Sequence, residues 1–445
     1  MIGVKSAAGG LACGVEGTSN ILNQPYIDLR SRTGKSYLRL RFSGRFLRRS
    51  LVVMVVAALV VAGTTAWRRH ESQDLRGNVG REFRLSAGPW GRLLARPVLL
   101  TPPARVFDPA FTLGDGKWYF ENAPLADIRT LVESCGLSDA QASTLVSLLK
   151  PAEGRPGLLS VAPPADLVLD LSPDVRSLFY TRLAMLDANF AQRHPFRMAE
   201  RHLQAWMRSD GFDPAHERVV RDLLWRSGDT LMFSDYNLLA SRMTRPSERV
   251  AFQQWLAQKV SLFLRIEIPR DADVPALASY WGAAGRGEDV LPILSSTAAS
   301  GGATIGIMNL MPPFVREYLN RFPQPPAPGA PLPACHWSSL NVFTRGMPDD
   351  AFHDAAAIER EIRENYRPIS GNPRFGDLVM LNEPDGSSIH SAVYIADDIV
   401  FTKNGPSPAT PWVFSTIEEM KAAYPSAVPL TTAFLRHWSG GLKPP

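Results

Sequence analysis

A chain of 445 residues exceeds one ordinary domain, and a hydrophobic content of 45% supplies real cores, which excludes a wholly disordered chain. The net charge of +5 comes from one end: residues 1–50 hold nine Lys/Arg against Glu16 and Asp28, so the remainder is slightly acidic and no basic folded surface for nucleic acid is implied. Three cysteines, Cys13, Cys135 and Cys335, give no disulfide framework.

Residues 1–50 read as a basic cytoplasmic tail. Residues 51–67, LVVMVVAALVVAGTTAW, form an uncharged run followed by Arg68-Arg69. The run has the length and flanks of a transmembrane helix or signal anchor, with Trp67 at the interface. The excess of Lys/Arg before it predicts a single pass, a cytoplasmic N-terminus and a body in the periplasm or outside. Together with the few cysteines, this suits a bacterial inner-membrane protein.

Residues 68–104, polar and broken by Gly and Pro, read as a juxtamembrane stalk. Residues 105–322 read as a mostly helical domain. Pro124 opens a helix that runs to Gly136, and Ser138 with Gln141 makes a capping box for the next. Ser172-Pro173, His194-Pro195 and Asp213-Pro214 carry proline at the first helical position and read as three further starts. A helix over 247–260, a strand over 262–268 and another strand over 303–308 complete this region. His194, His202 and His216 lack a second ligand at metal spacing. Gly282–Gly287 follows no clear strand and lacks the Lys-Ser/Thr ending of a phosphate loop.

Residues 323–334 carry six prolines between Pro323 and Pro333 and read as an extended linker. Residues 335–445 follow with a different pattern. Cys335 falls in the first turn of a helix, where free amide N–H groups and the helix dipole favour a thiolate. The same amides suit an oxyanion. A solvated helix spans 349–366. The period then changes to two: strands over 376–381, 389–396 and 399–403 are joined by turns at Glu383–Gly386 and Asp397-Asp398. On the middle strand His390, Ala392 and Tyr394 share one face, while Ile389, Ser391, Val393 and Ile395 share the other. Thr402 and Asn404 point the same way on the next strand.

A helix-borne Cys, a meander, a His on a central strand and a polar residue on the following strand resemble the NlpC-type cell-wall peptidases, a branch of the papain-like fold. Gly376-Asp377-Leu378 and His390-Ser391-Ala392-Val393-Tyr394-Ile395 carry most of that likeness, which covers about residues 330–440. The family's usual Asp-Cys-Ser-Gly stands here as Ala334-Cys335-His336-Trp337. The resemblance implies Cys335 as nucleophile, His390 as its base and a third residue orienting the imidazole. Asn404 is preferred over Thr402 for that third role, because its side chain is the better acceptor for an imidazole N–H.

The fold class expected is therefore α+β: a membrane-anchored chain with a mostly helical middle domain and a C-terminal papain-like domain. The function expected is a cysteine hydrolase of amide bonds, with peptidoglycan stem peptides implied as substrate and with no cofactor, metal or nucleic acid. The alternatives are a catalytically silent, envelope-anchored scaffold and an amidase or acyltransferase acting on lipid or protein.

Overall fold

The computed structural model describes residues 79–438 apart from 208–212, 228–229, 325–326, 328 and 425–428. These belong to one compact unit, Ser72–Pro445. Two short strands begin it. β1 (Phe83–Arg84) lies antiparallel to β2 (Arg92–Leu100), with Phe83 opposite Ala95. The chain then leaves this sheet and builds a separate lobe. In it β3 (Trp118–Glu121), β4 (Lys150–Pro151) and β5 (Leu158–Val161) form one three-stranded sheet, and β6 (Phe196–Ala199), β7 (Trp225–Ser227) and β8 (Thr230–Phe233) form another.

The next strand returns to the first sheet. β9 (Lys259–Pro269) pairs along the whole of β2, from Arg92 opposite Glu267 to Leu100 opposite Lys259, and β10 (Gly302–Gly306) closes the other side. Residues 101–258 are thus an insertion between two strands of one antiparallel hairpin. β9 is specified by its alternation: Leu262, Leu264, Ile266 and Ile268 are buried on one face, each worth roughly 1.5–3 kcal/mol. On the other face Arg84 pairs with Glu267, and Arg265 with Glu82.

The C-terminal sheet has six antiparallel strands: β11 (Tyr366–Pro368), β12 (Leu378–Asn382), β13 (Ser388–Ala396), β14 (Ile399–Lys403), β15 (Trp412–Thr416) and β16 (Thr431–His437). Their spatial order is β11-β16-β12-β13-β14-β15.

The hydrophobic core divides the chain differently from its sequence punctuation. One core runs from Leu113 to Leu256 and fills the inserted lobe. A second joins Phe83, Leu93 and Ala95 to Leu262–Val315 and continues through Trp337, Met380, Val393, Phe401 and Phe414. The proline segment therefore does not separate two cores, and the two larger sheets share one interior. The Phe414 amide donates to Ser261 Oγ, and Tyr280 Oη donates to the Ile395 carbonyl, tying the sheets together.

Three expectations are corrected here. Residues 105–322 are not mostly helical, because eight strands, β3 to β10, lie within them. β8 is buried at all four positions, so it shows no two-residue alternation, and a short apolar run does not announce itself as a strand. His194-Pro195 does not begin a helix. His194 instead closes the short helix Phe190–Arg193 at φ −121°, ψ 53°, a non-helical conformation that the following proline favours, and the chain continues into β6. The stretch read as a stalk contains β1 and β2 in its described part, with Leu93, Leu94 and Ala95 buried.

The single-pass inner-membrane placement is also withdrawn. Among the described residues no helix is long and apolar enough to cross a membrane. The run at 51–67, and the basic tail before it, lie outside the described residues.

The local start signals are more reliable. Ser138 and Gln141 form the reciprocal capping box of the Asp139–Leu148 helix. Ser172 accepts from the Val175 amide, and Asp213 from Ala215, each with proline at the first helical position.

Candidate active site

Cys335 opens the six-residue helix Cys335–Leu340, preceded by an extended Ala334 that provides no side-chain cap. Three serines fix this helix. Ser338 Oγ donates to the Ala334 carbonyl (2.7 Å) and accepts from Trp412 Nε1 (2.8 Å). Ser339 Oγ lies 2.7 Å from Ser391 Oγ on β13, which in turn lies 2.7 Å from His336 Nδ1. Burial holds the His336 imidazole below its usual range, and Ser339 Oγ also donates to the His336 carbonyl at 3.3 Å. Behind the helix, buried Asn341 accepts the Asp349 amide and donates to the carbonyls of Asp349 and Trp337, closing the loop that follows.

The thiol environment is set by two opposing effects. Cys335 is buried, and that burial pushes the thiol up. Against this act the backbone amides of Ser391, His336 and Cys335 itself, and the positive charge of Lys403. Burial wins, so the resting group is a thiol. The helix start does favour the thiolate as expected from the sequence, but it does not outweigh desolvation.

The sheet is imperfect beside Ser391, whose amide is among the groups that favour the thiolate. Pairing between β13 and β14 covers Ala396 opposite Ile399 back to Val393 opposite Phe401. Beyond it, Thr402 and Lys403 pair only with Val413 and Trp412 of β15. A bulge on the other side, between Leu381 and Asn382, sets the start of β13 before His390.

His390 is wholly buried on the face that carries Ala392, Tyr394, Val379 and Val400, while Val393 and Ile395 enter the main core. Its Nε2 lies 2.8 Å from Thr402 Oγ1, and Thr402 Oγ1 donates to Asn404 Oδ1 at 3.1 Å. The direction of the second bond decides the first. A hydroxyl that gives its only proton to Asn404 must accept from His390, so the imidazole carries its proton on Nε2. Nδ1 is then a bare lone pair, and among the described residues it is buried with no hydrogen-bond partner. Burial, and next the repulsion of His336, draw this imidazole down to about 3.

Of the three residues expected to form the site, Cys335 and His390 both meet β13, Cys335 through the Ser391 amide and His390 directly after the bulge. No hydrogen bond joins the thiol to the imidazole. Asn404 does not touch the imidazole; Thr402 stands between them. The extended backbone of β14 and β15 brings Thr402, not Asn404, opposite the ring.

Two further residues join the site. Lys403 is wholly buried, and burial brings its ammonium down to about 8 against the pull of Cys335. It donates to the carbonyls of Gly405 (2.6 Å) and Ser407 (3.2 Å) and sits 5.6 Å from the centre of the Trp412 ring. The Tyr424 ring covers His390 at 4.5 Å between centroids, and its phenol is pushed up first by burial and then by Cys335. Alternation alone carries Lys403 to the face opposite Thr402. Nothing in the local pattern marks it as a partner of Cys335.

Gly376-Asp377 proves structural. The Asp377 carboxylate takes two bonds from Arg436 and one from the Arg374 amide. Gly376 has φ 98°, and a Cβ there would stand 2.9 Å from the Phe343 ring.

Beside the site, a cavity of about 960 Å³ reaches from the inserted lobe to Asn404 and Tyr424. Compared with known proteins, the chain matches no family model, no curated protein and no solved structure.

Proposed function

We propose that this chain is a cysteine hydrolase of amide bonds, with Cys335 as nucleophile and His390 as general base. The observation that carries the reading is the unpartnered Nδ1 of His390, whose lone pair is held in place by the Thr402–Asn404 relay. A buried lone pair left unsatisfied costs stability, and an acceptor for a thiol proton is a use for it.

In this reading the thiol proton passes to Nδ1 as sulfur attacks the substrate carbonyl. The oxyanion forms near the amides of Cys335 and His336 at the helix start, the groups that favour the thiolate beforehand. The proton on Nδ1 then passes to the leaving amine as the C–N bond breaks, leaving a thioester. Water, deprotonated at Nδ1, attacks the thioester and returns the thiol. Lys403 favours the thiolate during the first step, and Asn404 acts through Thr402 to keep the Nε2–H tautomer. Peptidoglycan stem peptides, implied by the resemblance to the NlpC-type peptidases, are the first substrates to try.

One observation favours a second reading, a catalytically silent protein. Cys335 and His390 are both buried, with the thiol raised and the imidazole lowered. Both shifts oppose proton transfer before substrate binds. Digestion of purified peptidoglycan, with the Cys335→Ala chain as control, separates the two. Released peptides seen only with the wild-type chain support the hydrolase. Identical product profiles from the two chains overturn it for this substrate, and an inert Cys335 toward thiol alkylation as well leaves the silent reading.

A further inference from the structure

The cavity between the inserted lobe and the β14–β15 edge has an unusual polar lining. Arg197 on β6 and Lys259 at the start of β9 both face it. Among the described residues neither has a carboxylate partner. Arg197 Nη2 reaches only the Arg193 carbonyl at 3.4 Å, and its Nε is buried with no partner. Burial lowers both cations, and Arg197 repels Lys259 further.

Two acidic groups also line the cavity, an exposed Asp108 and Glu419. Asp108 Oδ1 accepts the Ala110 amide. Glu419 accepts from His202 Nε2 at 2.6 Å, from Ser415 and from the Thr416 amide. Two unpaired cations facing one cavity call for an anion.

The same wall also carries two acceptors without donors. Gln258 Oε1 is buried with no partner, while its Nε2 donates to Thr101. His202 Nε2 donates to Glu419, which in the neutral imidazole makes Nδ1 a lone pair, and among the described residues Nδ1 is buried with no partner. A simple fatty acid answers the cations but leaves these acceptors unmet. A peptide answers both, because it carries N–H donors beside a carboxylate. Phe111, Phe196, Trp206 and Pro411 supply apolar wall for its side chains, and the volume is that of a small-molecule site.

We propose that this cavity binds a short apolar peptide by its free C-terminal carboxylate, held by Arg197 and Lys259, with backbone N–H groups donated to Gln258 and His202. The proposal concerns binding and stands apart from hydrolysis at Cys335.

Calorimetric titration of the full chain with N-acetyl-Leu-Leu, with the same peptide capped as a C-terminal amide, and with decanoate tests it. Running the Cys335→Ala chain in parallel keeps binding separate from turnover. The free acid is expected to bind at least about tenfold more tightly than the capped peptide and than decanoate. Lys259→Met and Arg197→Gln should each remove about tenfold from the acid and leave the capped peptide unchanged. Equal affinity for acid and capped peptide, decanoate binding as tightly as the peptide acid, or no binding of any of the three overturns the proposal. The three-ligand comparison on the unmutated chain needs no variant to fold.

Discussion

The inserted lobe and the six-stranded sheet both bury charged side chains, but they treat them in opposite ways. In the lobe, Arg176 is fully buried and its guanidinium donates to the carbonyls of Asp222 (2.6 Å) and Val168 (2.7 Å), with Asp235 at 3.9 Å. Tyr180 Oη donates to Asp235 at 2.8 Å. Charge, carboxylate and phenol meet one another, and the two atoms left without a hydrogen bond among the described residues, Arg176 Nε and Asp235 Oδ2, carry opposite charges and lie 3.9 Å apart. In the sheet, Cys335, His390 and Lys403 are just as buried, but His390 keeps an unused lone pair and Lys403 has only carbonyl partners. A buried cluster whose unpaired atoms face each other with opposite charge serves the fold, whereas a lone pair with no such counterpart is tolerated where a reacting group can complete it.

That contrast is breakable at four points. The largest effect is expected in the lobe: Arg176→Met leaves Asp235 buried without its cation, at a cost of about 3–5 kcal/mol. Urea denaturation measures it, and a loss under about 1 kcal/mol would mean that the cluster is not a structural anchor.

Next comes pH, where the two regions carry opposite signs. His390 is held down to about 3 in the fold, against about 6.5 unfolded, so the unfolded chain takes up the proton first. Its contribution is present above pH 6.5 and is lost as pH falls, by about 3 kcal/mol at pH 4. Burial raises Asp235 to about 6, against the pull of Arg176 and Tyr180. Its contribution is present at low pH and is lost as pH rises from about 4 to 6, by a similar amount. Denaturation of His390→Gln and Asp235→Asn across pH 4–7 should therefore change the slope of stability against pH in opposite directions. Parallel changes would refute the assignment.

A smaller change tests the relay. Thr402→Val cuts His390 from Asn404 and is expected to lower hydrolysis on the order of 10–100-fold, mostly in kcat. Asn404→Ala should cost less, because Asn404 acts through Thr402. If Asn404→Ala proves the more damaging, the order of the relay is wrong. The smallest effect is expected at Lys403. Lys403→Met removes the cation that favours the thiolate, and alkylation of Cys335 by iodoacetamide should slow by about 3–10-fold. An unchanged rate would show that the charge does not reach the sulfur.

Features carried by a few neighbouring residues were legible in the sequence. The caps at Ser138, Ser172 and Asp213, the alternation that sets His390 and Val393 on opposite faces, and the helix start at Cys335 each depend on residues within four positions. What was not legible depends on pairing between distant segments. The β2–β9 hairpin is closed across residues 101–258, and no local period reports it. The Ser391 amide that favours the Cys335 thiolate belongs to β13, far along the chain from the Cys335 helix. Thr402 displaced Asn404 for the same reason: which of two polar neighbours meets a ring depends on strand geometry in three dimensions, not on which side chain is the better acceptor.

The hairpin has a kinetic consequence. Leu100 and Lys259, the last pair of β2 and β9, are also the two ends of the lobe, so the lobe occupies the place of a turn. A flexible loop of that length would make strand closure slow, since the chain entropy must be lost before any ladder bond forms. A lobe that has already folded presents its two ends side by side and removes most of that search. During synthesis β2 therefore waits for the whole lobe, and the interior that β9 shares with the Cys335 helix follows after it. A lesion confined to the Arg176 cluster is then felt twice, as lost stability in the lobe and as a delay in assembling the Cys335 site.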